Sequence, residues 1–261
     1  MFCPSNKKDK DKLLQRANEY SRSVARYFYL DGEVMRFLMD LFRVISIICS
    51  YPFGLFMFKR RTFYEEGAPR LPWTRGGALI ITNHSHFYDF VMNMYAVFPR
   101  KLNVVASELA FKNWFLSFGV RTFGGIQANR KTQDMRFMDT CVELLRRGQL
   151  VQIFPEGRFH TDGRIGPFKK SYIVIAHRAG VPIIPVVNDE TYGIRKRSSI
   201  IIGKPIYVSD YIKPGGIFPA RDERDALDEV IHAKMEELRE ELEHRKHGRS
   251  TRECISGTIQ N

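Results

Sequence analysis

The 261-residue sequence predicts an α/β fold, a mainly parallel sheet flanked by helices and preceded by an N-terminal helical segment. Three observations predict it. Short, continuous apolar runs recur from residue 78 onward, as strands buried on both faces of a parallel sheet require. Helix-period apolar stripes fill the intervals between those runs, the alternation that crossover connections produce. The composition, 44% hydrophobic and 13% aromatic with 20 Phe, suits a chain that buries a core and excludes a disordered one.

In chain order, Met1 to Lys12 is polar and lysine-rich with no apolar run behind it, so no cleavable signal peptide is expected. Asp9 and Asp11 interrupt the basic stretch and argue against an amphipathic targeting sequence. Lys12 to Arg36 is mixed polar and aromatic and reads as helical. Phe37 to Phe58 is apolar and closed by Lys59-Arg60-Arg61. Its uncharged part, Val44 to Phe58, is 15 residues long. That covers roughly 22 Å against a hydrocarbon core about 30 Å thick. Extending it to Phe37 adds Asp40 and Arg43, each costing about 2.5–3.5 kcal/mol near a bilayer centre. Pro52 and Gly54 interrupt the run as well. Residues 1–62 therefore read as a membrane-docking helical region whose apolar part dips into one leaflet, with Lys59 to Arg61 on anionic headgroups. A buried core helix and a single spanning helix are the alternatives.

Residues 63–218 carry the α/β pattern. Strands are expected at Ala78–Thr82, Leu102–Ala106, Leu150–Phe154, Val181–Val187 and Ser199–Ile202. Helices are expected at Asp89–Val97, Leu109–Phe118, Thr132–Arg147 and Lys170–Arg178. In the third of these, Met135, Met138, Val142 and Leu145 share a face, with Gly148 as the stop. Residues 219–247 hold an amphipathic helix, Arg221–Arg245, striped by Leu227, Ile231, Leu238 and Leu242. Residues 248–261 read as an unstructured tail.

The formal charge of +12 points to an anionic partner: nucleic acid, lipid headgroups or a phosphorylated acyl carrier. Nucleic acid is disfavoured, because no helix-turn-helix or zinc pattern appears and the basic residues are not interleaved with aromatics on one module. Cys3, Cys49, Cys141 and Cys254 are scattered, so neither a disulfide framework nor a metal site is expected, and a reducing compartment fits.

Chemistry is concentrated just past two expected strands. Asn83-His84-Ser85-His86-Phe87-Tyr88-Asp89 follows the first. Imidazole suits general-base work at neutral pH, and a carboxylate can fix its tautomer. His84 and Asp89 meet if the chain turns into a helix between them, whereas a capping histidine beside a solvated acid is the plain reading. His86 is a competing base. No Gly-x-Ser-x-Gly appears, so direct attack by a substrate hydroxyl is favoured over an acyl-enzyme. Phe154-Pro155-Glu156-Gly157-Arg158 ends the central strand, and Arg158, Arg164, Lys169 and Lys170 make a basic loop suited to a phosphate or carboxylate. Loops past strand carboxyl ends gather in such sheets, so the two segments should be neighbours. Gly124 to Arg130 is a third glycine-then-arginine segment, and Val181 to Val186 reads as a rigid wall.

Taken together, His84 with Asp89, then Gly124 to Arg130, Phe154 to Gly157 and Val181 to Val186, with Gly203 to Ile206 as a closing strand, resemble the glycerolipid acyltransferase family. Its best-known members are the 1-acyl-glycerol-3-phosphate acyltransferases. The resemblance covers about Gly76 to Pro205. It implies a membrane-associated O-acyltransferase with the active site on the cytoplasmic side. The donor would be acyl-CoA or acyl-carrier protein and the acceptor a lysophospholipid, foremost 1-acyl-glycerol 3-phosphate, with no further cofactor. Another lysolipid or glycerol-phosphate acceptor, or a non-catalytic lipid-binding protein on this fold, is the alternative. It also implies His84 as base, Asp89 as its support, and Arg130, Glu156, Gly157, Arg158 and Lys169 around the acceptor phosphate. One departure stands out. The family's third motif places arginine three residues after glutamate, where this chain has Phe159.

Overall fold

The computed structural model describes residues 33–86, 88–128, 136–159, 164–193, 196–213 and 218–258. Seven strands form one sheet: β1 (Arg61–Tyr64), β2 (Ala78–Thr82), β3 (Leu102–Ser107), β4 (Gly125–Ala128), β5 (Leu150–Ile153), β6 (Ile183–Asn188) and β7 (Ser199–Ile202). Their spatial order is β1-β7-β6-β2-β5-β3-β4, with every neighbouring pair parallel except β6 and β7. Every residue of β2, β5, β6 and β7 is buried, which is why those strands read as unbroken apolar runs. β1 and β4 lie at the two edges and escaped the sequence reading. Each inserts mainly one apolar side chain, Phe63 or Ile126, into the core, and that leaves no run to detect.

Helices cover both faces: α1 (Glu33–Phe58), α2 (Asp89–Val97), α3 (Trp114–Thr122), α4 (Arg136–Arg146), α5 (Ser171–Ala179) and α6 (Arg221–Thr258). Because side chains alternate along a strand, Leu79, Ile81, Val151 and Ile183 face one core. There they meet Leu145 of α4, Ile173 of α5 and the Leu227, Ile231 and Leu238 stripe of α6. Ile80, Leu150 and Ile184 face the other core, with Ile47 of α1 and Met94 and Val97 of α2.

α1 is a single helix with Pro52 inside it. Gly54 marks a close approach rather than a break, since a Cβ there would lie 2.6 Å from the ring of Tyr95. One side of α1 packs: Ile47 is buried, Ser50 accepts a hydrogen bond from the Tyr95 hydroxyl at 2.8 Å, and Arg43 is buried with its guanidinium on the Leu102 carbonyl. The opposite side presents Phe37, Leu41, Ile45 and Ile48 to solvent at helical spacing. Among the described residues no helix is long and apolar enough to cross a membrane. Arg60, expected on headgroups, is half-buried against Tyr51, at 5.8 Å from its ring, and burial lowers its pKa.

Three further expectations are altered. Leu109–Phe118 divides into a 3-10 turn, Glu108–Phe111, and α3. Gly203–Ile206 is not a strand: β7 ends at Ile202, and only Ile206 bridges back to Ile183. α6 extends to Thr258, past residue 248, where an unstructured tail was expected; its sequence is free of proline. The start of the expected Thr132–Arg147 helix lies partly outside the described residues, and α4 begins at Arg136.

Candidate active site

The chain leaves β2 at Thr82 and is clamped at once to the end of β6. The Asn83 amide donates to the Asn188 carbonyl at 3.0 Å and accepts from the Asn188 N–H at 2.9 Å. Asn188 in turn donates to the Thr82 hydroxyl at 2.9 Å. Residue 84 is therefore placed by two neighbouring parallel strands.

α2 begins at Asp89, whose side chain is fully buried. Its Oδ2 accepts from the backbone N–H groups of Ser85 at 2.9 Å and His86 at 2.8 Å, and lies 3.2 Å from Nδ1 of His84. Its Oδ1 accepts from the Tyr192 hydroxyl. An ionised carboxylate only accepts, and the four donors around this buried group match that acceptor capacity. Nδ1 of His84 is then the protonated nitrogen, and Nε2 keeps its lone pair.

The imidazole is enclosed on its faces. Its centroid lies 3.7 Å from that of Phe154, with planes 24° apart, and 4.1 Å from that of Phe159, with planes 33° apart. Two near-parallel rings at those separations cannot share one face, so they lie on opposite faces. The His84 side chain keeps only 16% of its exposure.

His86 is differently placed. Its Nδ1 accepts from the Tyr88 N–H at 3.3 Å and its exposed ring stacks on Tyr88 at 4.9 Å. Among the described residues no acyl-enzyme nucleophile is evident. The buried hydroxyl of Ser85 makes no hydrogen bond to His84 or any other described group. Cys141 is buried in the core, where burial drives its thiol pKa up and out of the reactive range.

A histidine oriented by a buried carboxylate is an arrangement suited to proton transfer, and the family is shown by comparison with known proteins. The family model described as Acyltransferase matches residues 60–189. The 1-acyl-sn-glycerol-3-phosphate acyltransferase of Haemophilus influenzae is 31% identical over 178 residues, 63% of this chain and 71% of that one. The chain belongs to the acyltransferase family. The Bacillus subtilis protein named 1-acyl-sn-glycerol-3-phosphate acyltransferase is 21% identical over 64% of this chain and 83% of its own length. The chloroplastic one of Brassica napus is 28% identical over 56% of this chain, which spans 46% of that relative. In the crystal structure of the 1-acyl-sn-glycerophosphate (LPA) acyltransferase PlsC from Thermotoga maritima the same fold appears. The TM-score is 0.50 at 22% identity, over 84% of this chain and 88% of that one.

In this acyltransferase Glu156, expected beside the acceptor phosphate, bridges two loops. It is buried, and its two oxygens accept from the backbone N–H groups of His84 and Gly166, both at 3.3 Å. A carboxyl group so placed holds the two loops together. Gly157 sits at φ 68°, in the left-handed region, and a Cβ there would meet the Lys169 Nζ at 3.0 Å. Arg158 and Lys169 are exposed on the same turn, with the Lys169 N–H donating to the Pro155 carbonyl at 2.8 Å. Lys170 is turned away to Asp225 of α6 at 2.7 Å. Arg130 lies outside the described residues.

Two participants were missed by the sequence reading. Glu190 accepts from the Asn83 amide at 3.3 Å, and burial raises its pKa; Asn83 opposes that rise while Asp89 and Glu156 add to it. Tyr192 lies 103 positions from its partner Asp89, in no recognisable motif. Burial first, and then Asp89, push its phenol pKa upward, so it stays a donor. Tyr192→Phe leaves a buried carboxylate oxygen short of one partner, which should cost about 1–3 kcal/mol of stability and roughly tenfold in turnover. A thermal melt checks the first, at about 2–4 °C per kcal/mol for a chain of this size, and steady-state rates the second. An unchanged melt would mean that the hydroxyl is not holding Asp89.

Proposed function

We propose that this acyltransferase moves a fatty acyl group from a thioester, acyl-CoA or acyl-carrier protein, to the free hydroxyl of a lysophospholipid. The foremost acceptor is 1-acyl-glycerol 3-phosphate and the product phosphatidic acid. The observation that carries the reading is Nδ1 of His84 held by fully buried Asp89, with both ring faces covered, so that the Nε2 edge is the part left for a substrate. Nε2 takes the hydroxyl proton as the oxygen attacks the thioester carbonyl. The tetrahedral intermediate collapses with cleavage of the C–S bond, and the departing thiolate recovers the proton from the imidazolium. General-base assistance of this kind contributes about 10²–10⁴-fold. Arg158 and Lys169, exposed at the same rim, would receive the acceptor's phosphate.

The substrates are amphiphiles, and the outward apolar face of α1 would dock the protein on the bilayer that holds them. The scattered cysteines fit a cytoplasmic orientation of the catalytic face. The test presents a panel of lysolipids in anionic vesicles to the purified chain, with acyl-CoA and acyl-carrier-protein donors, and identifies esters by mass spectrometry. Phosphatidic acid from 1-acyl-glycerol 3-phosphate is the expected product. An ester formed only on a different lysolipid would replace the acceptor, and no ester from any pairing would sink the proposal.

A further inference from the structure

We infer that Phe159 is a positioning residue for the reaction proposed above: its ring holds the imidazole of His84 against Phe154 and stabilises the imidazolium that forms when the base takes the acceptor's proton. The inference rests on that reading for its kinetic consequence, and on geometry alone for its effect on the histidine.

Phe154 and Phe159 bracket the tight Pro155-Glu156-Gly157 turn, and the loop they belong to wraps around the catalytic ring. Phe154 is half-buried and anchored at the end of β5, so its position follows from the sheet. Phe159 is different. It is 56% exposed and has little burial of its own to hold it, yet its centroid lies 4.1 Å from that of His84. Its placement is best explained by what it covers. An aromatic face attracts a cation through its quadrupole, and the attraction grows as water is excluded. Neutral imidazole gains little from this and imidazolium gains more, so the interaction strengthens along the reaction coordinate, which is the condition for catalysis.

The charged and titratable groups near His84 come from three segments. Asp89 and His86 belong to its own loop, Glu156 to the loop after β5, and Glu190 and Tyr192 to the loop after β6. None of them covers a face of the ring; the two phenylalanines do.

Phe159→Leu keeps the ring dry while removing the aromatic face, and Phe159→Tyr keeps both. Loss of the face disfavours the cation, so the His84 titration midpoint should fall by about half a pH unit in Phe159→Leu and stay at the wild-type value in Phe159→Tyr. NMR titration of histidine-labelled full-length protein reads this directly, with the His84 signal assigned by its loss in His84→Gln. In the transfer assay Phe159→Leu should lower kcat about two- to threefold with KM unchanged, move the acidic limb of the kcat/KM profile to lower pH, and be rescued by Phe159→Tyr. An unchanged midpoint in Phe159→Leu, or Phe159→Tyr as impaired as Phe159→Leu, overturns the inference. If wild type transfers no acyl group, the functional reading fails while the NMR titration still decides the role of Phe159.

Discussion

His84→Ala should reduce acyl transfer by about 10²–10⁴-fold or more while leaving the fold and lipid binding intact. The expected rate loss follows from the proposal that His84 accepts the hydroxyl proton. His86, the competing base of the same loop, is not placed to replace it, because its Nδ1 is engaged by the Tyr88 N–H. Structural damage should be small for a reason visible in the donor set. Asp89 loses one of four partners and keeps the Ser85 and His86 N–H groups and the Tyr192 hydroxyl. The Glu156 contact is to the backbone N–H of His84 and survives the substitution. Turnover with each donor, the melting temperature and the vesicle-bound fraction should be measured on one preparation. Activity within tenfold of wild type would remove His84 from the role of base. Lost activity together with a collapsed melt would instead point to a structural role.

What the sequence disclosed depended on how local each feature is. The central strands were legible because burial on both faces writes an apolar run, as in Ala78–Thr82. The edges β1 and β4 were not, since a strand buried on one face needs little more than Phe63 or Ile126. Asp89 was legible beside His84 because both belong to one turn leading into α2. Tyr192 was hidden, because β6 brings it to Asp89 only through the topology of the sheet. The segment of Glu156 was legible, while the seating of its oxygens on the amides of His84 and Gly166 joins residues far apart in the chain. Phe159 registered in the sequence only as a missing arginine; its tilted contact with the His84 ring joins segments distant in the chain.

Asp89→Asn should cost roughly 10³–10⁴-fold in kcat, comparable to the loss of the base itself, with much less effect on stability. The carboxylate presents two accepting oxygens to four donors, three of them on Oδ2. An asparagine has one oxygen. If that oxygen takes the Oδ2 position, its NH2 faces the Tyr192 hydroxyl, which can rotate to accept, and every bond is remade with a neutral partner. The imidazolium then forms beside an amide dipole instead of a charge. If the amide turns the other way, its N–H groups oppose the Ser85 and His86 amides and force the proton of His84 onto Nε2, the nitrogen that must be bare. Both arrangements would disable the base proposed at His84. Neither leaves a buried charge, and either removes a negative charge that raises the pKa of Glu190. The melting temperature should therefore fall by only a few degrees, and the Glu190 pKa should move down, toward its ordinary value. A matched pair of kcat measurement and thermal melt separates the cases. A variant that melts like wild type and turns over within tenfold of it would show that the charge on Asp89 is not needed for acyl transfer.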